Sequence, residues 1–568
     1  MTATADHSAT PVELPPSRWG PFRHRAFLVI WTASLILNVG TAMFDTASAW
    51  LMTNLSPDPM AVSLVQVFSS LPIFLFTLPA GALADIIDER RFLLGVEIAI
   101  AALAAIFAGL VTLHLATSFS LLLTTFLMSA ALSLTAPALL SLNTLLVTRA
   151  ELDGASAANS VGYNVARAIG PAIGGVAIAS IGVAAPIWMF AVCDLAIIGA
   201  LLWWRSPHKG AGGLPAERLT SAVRTGMRYA ANSPHMRATL MRALAFFPFA
   251  SAYWALLPLV AKDEMAKGAS FEDMMMMHGP ALYGMLLGAI GVGAILGSLL
   301  LNWLKARLGP DRLAAAGTLT TIGALVLFAL ARDPLVAMGA SVLAGASWTV
   351  VLATLYVSAQ IALPDWVRAR GLAVLLTIVF GAMTVGSAAW GRIAGMENLR
   401  IAFFIAAGGA AIAIPLSWRW KLQTAAGIDL TPSMHWRVPT IARKVENDEG
   451  PALVTIEYRI EPEDREAFVG DLDELGQERK RDGAYAWGIF EDVADRGRFV
   501  ETFLIESWLE LQHLRERVTN ADRIVEDRLH RLLVDPPQVT LLIASDPPRR
   551  SRRERALELQ TAPSTPSR

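Results

Sequence analysis

Long apolar segments alternate with short polar ones between about residue 26 and residue 421. A helix needs about 20 apolar residues to cross the hydrocarbon core of a bilayer. Segments of this length predict twelve membrane-spanning helices, and several exceed the minimum, which indicates tilt or extension beyond the bilayer. The predicted spans are 26–54, 61–84, 92–115, 119–147, 156–182, 185–204, 236–261, 280–304, 314–331, 334–362, 367–391 and 399–418.

The positive charges between these spans lie in alternate loops. Lys and Arg precede the first span and follow every even-numbered span, whereas opposite loops such as 55–60, 116–118 and 183–184 carry little positive charge. Because positively charged loops stay on the cytoplasmic side, we expect both termini to be cytoplasmic. The membrane part is then divided into a cytoplasmic tail at 1–25, a six-helix half at 26–205, a basic central loop at 206–235 and a second six-helix half at 236–421.

The pattern changes after Lys421, where a polar linker at 422–449 leads into a segment of ordinary charge. Apolar residues alternate over 451–460, which predicts a strand. Further strands are predicted at 484–491, 498–508 and 539–545, with helices at 463–481 and 509–533. This β-α-β-β-α-β order predicts a cytoplasmic ferredoxin-like domain at 450–546, followed by a basic tail at 547–568 that we expect to be disordered.

The predicted fold is therefore an all-α membrane protein of twelve transmembrane helices in two six-helix halves, with a small C-terminal α+β ferredoxin-like domain. Composition agrees, since mean hydropathy is +0.47 and charged residues make up 17%, below the roughly 25% of soluble domains. The single cysteine, Cys193, excludes a disulfide framework. No metal-ligand spacing or nucleotide-binding loop is evident, so we expect no cofactor, no enzymatic activity and no nucleic-acid partner.

Five charged residues fall within the predicted spans: Asp45, Glu97, Arg167, Asp194 and Arg242. A charge in hydrocarbon costs about 2.5–3.5 kcal/mol on insertion scales, so each should face a cavity or a partner. Arg167 and Asp194 could pair across adjacent spans. In a functional interpretation, Asp45 or Asp194 carries a coupling proton, and Arg167 tunes it or binds an anionic substrate group. The alternative is a structural ion pair or a residue close to the membrane interface, and we favour this alternative for Glu97 and Arg242.

The loop after the second span reads GALADIIDERR over residues 81–91. It resembles the signature loop of the major facilitator superfamily, although Ile86 replaces the usual Arg and Asp88 the usual second Gly. The Asp-x-x-Asp-x-Arg-Arg variant is similar to the branch that contains the enterobactin exporter and macrolide-efflux proteins. The resemblance implies a cytoplasmic gating loop formed by Gly81, Asp85, Asp88, Arg90 and Arg91.

The fifth span carries a glycine-rich stretch around Pro171, and proline bends a helix because it removes a backbone hydrogen bond. Glycines there permit close contact with a neighbouring helix. The stretch resembles the antiporter motif of exporters in the same superfamily, through Gly162, Gly170, Pro171, Gly174 and Gly175. A glycine pair, Gly386 and Gly391, echoes it in the eleventh span, which indicates a transporter built from repeats.

The C-terminal domain resembles the antibiotic-biosynthesis-monooxygenase group, whose members usually pair through their sheets. We expect Trp487, Phe503 and Trp508 to contribute to an uncovered apolar sheet face and the domain to form a homodimer. Catalysis is not expected, because such aromatic residues are more often part of a core.

The resemblance as a whole covers nearly the entire chain. It implies a secondary active transporter that exports a small metabolite, siderophore or drug across the bacterial inner membrane, with protons as the coupling partner and the lipid bilayer as its surroundings. Two alternatives stay open: a transporter fused to a catalytically active monooxygenase-like domain, and a membrane sensor that no longer transports.

Overall fold

The computed structural model describes residues 20–84, 89–148, 151–204, 219–264, 279–364, 366–422 and 449–544, with isolated positions between 429 and 446. The chain forms two compact units. The first consists of Met1–Met227 and Pro234–Ala425, and the second of Arg228–Ser233 and Ala426–Arg568. The second unit therefore includes six residues that lie within the predicted central loop.

Twelve helices precede the C-terminal domain in the described part of the chain. Ten stretches are long and apolar enough to cross a membrane. The helices are α1 (Arg25–Leu55), α2 (Pro59–Ala84), α3 (Glu89–Thr112), α4 (Ser118–Leu146), α5 (Leu152–Ser180), α6 (Ala184–Trp203), α7 (Leu219–Asn232), α8 (Pro234–Leu259), α9 (Gly279–Leu330), α10 (Pro334–Ala362), α11 (Arg368–Met396) and α12 (Leu399–Ser417).

The predicted spans fall on these helices with small shifts at their ends. Two of them, 280–304 and 314–331, lie in α9, which has 52 residues and is divided into two helical parts by a kink at Gly309. Gly309 interrupts α9 with φ 70° and ψ 169°, a conformation that glycine adopts without a Cβ clash. Helix α5 is not among the ten spans, because its Asn, Arg and Gly residues lower its hydropathy. Helix α7, within the central loop, was not predicted.

Polar side chains hold the helix ends together where the basic loops lie, which we call the basic end. His24 contacts Glu151 at 2.8 Å, so the starts of α1 and α5 are adjacent. Arg242, in the third turn of α8, forms an ion pair of 3.0 Å with Asp311 and donates to the carbonyl of Trp420 at 3.1 Å. Arg242 thus has the structural partner that its burial requires.

The second unit contains a four-stranded antiparallel sheet in the order β2-β3-β1-β4. The four strands and the first helix lie where the sequence predicts them. The elements are β1 (Ala452–Arg459), α13 (Arg465–Asp482), β2 (Ala486–Glu491), β3 (Arg498–Ile505), α14 (Trp508–Arg517), α15 (Asn520–His530) and β4 (Gln538–Ile543).

The predicted helix at 509–533 is wrong, because the structure has two helices there, α14 and α15. Thr519 caps the second of them. The backbone N–H of Asp522 donates to the Thr519 side chain, and the backbone N–H of Thr519 donates to the Asp522 side chain. Together these two hydrogen bonds form a reciprocal capping box. Such a box satisfies backbone N–H groups that have no partner within the helix. The capping box therefore starts a new helix, although the apolar residues keep a helical spacing throughout the segment.

The residues predicted to lie on the uncovered sheet face are also wrong. Trp487 is directly opposite Phe503 in the β2–β3 register, so both side chains point to the same face. That face is covered by helices, because Phe503 and Trp508 are buried in the core of the domain. The other face carries Leu453, Phe490, Val500, Leu504 and Leu542, of which Phe490 is 59% exposed and Leu542 is 52% exposed.

A charged network fills part of the covered face. The carboxylate of Glu501, which is 0% exposed, accepts hydrogen bonds from Tyr458 Oη at 2.8 Å and Trp487 Nε1 at 2.9 Å. Arg479 Nε lies 3.8 Å from Glu501, and its Nη2 lies 2.7 Å from Glu526. The Glu501 carboxylate is thus satisfied by Tyr458 and Trp487, and the charge of Arg479 is balanced by two carboxylates, which lowers the cost of burying these groups at low dielectric.

Candidate functional site

The glycines of the predicted antiporter motif bring α5 against two helices at once. A Cβ on Gly170 would lie 2.7 Å from the Cβ of Ala42 in α1, and one on Gly174 would lie 3.2 Å from Met43 Cα. On another side of α5, a Cβ on Gly175 would lie 2.6 Å from Pro280 O in α9. Real Cβ atoms do not fit at the shorter of these distances, so the helices contact through bare backbone.

Glycines of α9, in the other half, lie on the opposite side of the same close contact with α5. A Cβ on Gly284 would meet the carbonyl of Pro171, and a Cβ on Gly291 would lie 2.5 Å from Ala168 Cα. The echo segment in α11 makes a second contact between the halves, where a Cβ on Gly391 would lie 2.5 Å from Ser63 Cβ in α2. We call these two contacts the α5–α9 seam and the α2–α11 seam.

The halves also meet at the end of the bundle away from the basic end. The rings of Trp50 in α1 and Tyr283 in α9 stack with centroids 6.2 Å apart. Lys262, just after α8, donates to the carbonyl of Thr53. Midway along the α2–α11 seam, Ser70 and Thr384 are hydrogen bonded at 2.8 Å. These contacts join the halves at the opposite end and along the seams.

Part of the predicted gating loop lies outside the described residues. Asp85 and Asp88 are in this group, while Gly81 is in the last turn of α2 and Arg91 in the first turn of α3. The neighbouring Arg90 donates through Nε to Leu201 O at 2.8 Å and through Nη2 to Leu202 O at 3.0 Å. A cation at the last carbonyls of α6 is favourable because that end of a helix carries partial negative charge.

Arg167 lies between the halves and not beside Asp194. Its guanidinium is 5.3 Å from the ring of Trp254 in α8 and 5.8 Å from that of Tyr163 in α5. Tyr253 Oη and Trp254 Nε1 are buried and make no hydrogen bond of normal geometry among the described residues. A cation next to two free donors is a suitable environment for an anionic group.

Asp45 is the acidic member of the same interface. Asp45 is close enough to Tyr283 for an electrostatic interaction between their side chains. Asp45 lies on α1 and Tyr283 on α9, so both halves contribute here as well. Arg167, Tyr253, Trp254, Asp45 and Tyr283 form what we call the interface group.

The expected ion pair between Arg167 and Asp194 is wrong. The carboxyl group of Asp194 interacts with that of Glu97 in α3. The two residues are 0% and 1% exposed, and neither Glu97 Oε2 nor the Asp194 oxygens has a hydrogen bond of normal geometry among the described residues. We call Glu97 and Asp194 the carboxyl pair. It contains no basic partner within the part of the chain that the structure describes.

Glu97 was interpreted as structural, although the sequence contained a signal for its position. At 1.5 Å per residue, Glu97 lies about 12 Å along α3 from Glu89, and Asp194 about 14 Å along α6 from Trp203. Both helix termini are at the basic end, since Arg90 joins them. The two carboxyl groups are therefore at the same depth. Only the packing of α3 on α6 shows that they face each other.

An apolar bundle whose two halves meet along seams, with charged groups of the first half facing polar aromatic groups of the second, defines a multi-pass membrane transporter of the major facilitator type. Solved transporters share this fold. The crystal structure of the nucleoside transporter NupG matches with TM-score 0.55 and 13% identity, over 70% of this chain and 99% of that chain. A bacterial homologue of the human lysosomal transporter Spinster, in an inward-facing and unoccupied conformation, matches with TM-score 0.52 and 17% identity, over 70% and 97%.

A bacterial homologue of the iron transporter ferroportin, in an inward-facing state, also matches, with TM-score 0.52 and 14% identity over 70% of this chain and 98% of that chain. Residues 16–548 match the family model described as transmembrane secretion effector. The chain belongs to this family. No curated protein matches the sequence.

The α5–α9 seam predicts a sharp difference between two glycine substitutions. Gly175→Ala should lower the melting temperature of the detergent-purified protein, because a Cβ has no space there and overpacking costs about 1–3 kcal/mol. Gly199→Ala in α6 is the matched control, since its Cβ meets nothing within 4 Å. Equal melting temperatures for the two variants would contradict a bare-backbone seam.

Proposed function

We propose that this protein is a secondary active transporter that exports a small amphipathic metabolite, siderophore or drug across the bacterial inner membrane in exchange for protons. The carboxyl pair is the observation that carries the coupling. Two adjacent carboxyl groups without a cation can share a proton, and loss of that proton brings two like charges together at low dielectric. The contact between α3 and α6 then depends on whether the proton is bound.

The interface group supports an amphipathic substrate with an anionic oxygen. Arg167 supplies a positive charge, Tyr253 and Trp254 supply free donors, and the ring of Trp254 supplies an apolar surface. A few polar groups on a mainly apolar lining are typical of small-molecule sites. Asp45 is a second candidate for the coupling proton, because it is the acidic group of the same interface.

Twelve spans in two six-helix halves follow if α5 is counted and α9 is divided at Gly309, which adds two to the ten apolar stretches. Alternating access then proceeds by rocking of the halves about a site near the midplane. The family description and the antiporter-like motif in α5 both favour export. The regular alternation of basic loops favours cytoplasmic termini.

The strand order of the C-terminal domain supports a ferredoxin-like fold. We propose an accessory function for this domain and no catalysis. A catalytic domain needs polar groups that converge on a substrate. Here the polar groups on the covered face, Tyr458, Trp487, Arg479 and Glu501, converge on one another.

Reporter fusions test the proposed orientation. Fusions at residues 210 and 430 should report a cytoplasmic location, and fusions at residues 57 and 270 an extracytoplasmic one, because the basic loops remain inside. An extracytoplasmic signal at 210 or 430 would refute the proposed orientation.

Substitution of the carboxyl pair tests proton coupling. Comparative metabolite profiling of cells with and without the protein first identifies the substrate. In proteoliposomes with an imposed pH gradient, Asp194→Asn and Glu97→Gln should abolish gradient-driven transport but retain substrate exchange, because only the proton site is altered. Asp153→Asn, an exposed carboxylate in the first turn of α5, is the control. Normal gradient-driven rates in both pair variants would make the pair structural, and the same comparison with Asp45→Asn would test the second candidate.

The uncovered sheet face is proposed to form a homodimer, because apolar side chains such as Phe490 and Leu542 are costly in water. Light scattering on the detergent-purified protein should give a dimer for the wild type and a monomer for the Phe490→Arg/Leu542→Arg variant. Val493→Arg, at a fully exposed position after β2, should remain dimeric. A monomeric wild-type protein at high concentration would rule out this interface.

A further inference from the structure

The second compact unit is built from two separate parts of the chain. Besides the C-terminal domain it includes Arg228–Ser233, which we call the loop segment. This segment comprises the last residues of α7 and the residue before α8, and it lies in the connection between the two halves. Tyr229 and Ala230 in it are each 2% exposed, so the segment is packed within the unit and not merely adjacent to it.

The ring of Tyr229 packs against the guanidinium of Arg481, whose position is fixed by two aspartates. The guanidinium of Arg481 lies 5.5 Å from the centroid of the Tyr229 ring. Arg481 donates to both carboxylate oxygens of Asp522 at 2.9 and 3.0 Å, and to Asp482 at 2.8 and 2.9 Å. Because Arg481 is fixed by two carboxylates, the aromatic ring meets a preformed surface. A desolvated cation–π contact of this kind stabilises binding.

Arg228 adds an electrostatic contact next to the ring. It lies within electrostatic range of Arg517, which repels it, and of Glu510, Glu506 and Asp482 of the C-terminal domain, which attract it. Its guanidinium lies beside Gly483. Arg517 orients the side chain of Glu510, to which it donates at 2.8 Å, and it also donates to the backbone carbonyl of Asp482 at 3.1 Å. The loop segment thus presents a basic and an aromatic side chain to a surface that carries both acidic and basic groups of the C-terminal domain.

The apolar core of the domain does not depend on this segment. The core consists of residues from the sheet and from α13, α14 and α15, such as Val454, Phe468, Phe503 and Leu529, and Tyr229 is not part of it. The domain therefore retains its own core when the segment is removed. A contact that lies outside a complete core can form and break without global unfolding.

We propose that the C-terminal domain is a regulatory module that binds the loop segment reversibly and thereby controls the connection between the two halves of the transporter. Ser233 is followed directly by Pro234, the first residue of α8, and α8 carries Tyr253 and Trp254. Docking or release of the segment changes the freedom of the chain at the start of α8. The domain biases the equilibrium between conformations of the halves, and this function holds whatever the substrate or coupling ion.

Hydrogen exchange on the full-length protein in nanodiscs tests the docking. Ala230→Glu introduces a charge at a buried position and should raise exchange in the loop segment, and Tyr229→Ala should raise it roughly threefold to tenfold through loss of the cation–π contact. Ala231→Glu is the matched control, because Ala231 is exposed. Tyr229→Phe keeps the ring and should retain protection. Strand β1 and β3 amides should be unchanged in all four variants.

The same experiment tests the regulation. Release of the segment should also change exchange in the peptides that contain Trp50 and Tyr283, where the halves meet. If exchange in the loop segment is unchanged in both Ala230→Glu and Tyr229→Ala, the docking is refuted. If the segment is released while the Trp50 and Tyr283 peptides stay the same, the contact is a passive anchor and the regulatory proposal is overturned. Faster exchange throughout β1 and β3 would show that the segment is part of the domain core, which also overturns reversible docking.

Discussion

Close contact between the backbones of α5 and α9 is the constraint on which the membrane part of this protein depends. Lipid tails are as apolar as the helices, so no hydrophobic force drives helix association within a bilayer. Van der Waals packing therefore has to drive helix association, and this packing improves as the helix backbones approach each other. Gly175 on one side and Gly284 on the other remove the side chains that would keep the helices apart. The position of Arg167 against Trp254, across the halves, follows from this approach.

Charges buried between the membrane helices are accommodated in three different ways. Arg242 is neutralised by Asp311 and held by a backbone carbonyl, which makes it part of the scaffold. Arg167 lies on an aromatic ring next to unused donors. Glu97 and Asp194 have only each other among the described residues. An incompletely satisfied polar group is expensive in hydrocarbon, so the second and third arrangements favour a functional role more strongly than the first.

The C-terminal unit combines a filled core with a contact that is separate from it. On the covered sheet face, Glu501, Tyr458 and Trp487 satisfy one another and leave little polar capacity for a substrate. At a separate surface, Arg481 and its two aspartates receive Tyr229 from a distant part of the chain. The unit is thus organised for recognition of another segment of the same protein.

The membrane helices, the four strands and the glycine motif followed from the sequence alone, because hydropathy, the period of two and the absence of a Cβ are properties of single residues and their neighbours. Tertiary structure decided what the periodicities leave open. The partner of Asp194 is Glu97 and not Arg167, because the rotation of α6 against α3 depends on packing over the whole bundle. Trp487 and Phe503 point to the covered face, because strand register and helix placement together select the buried side. Tyr229, in a polar loop, belongs to a domain that begins almost 200 residues later, since only a folded chain brings the two segments together.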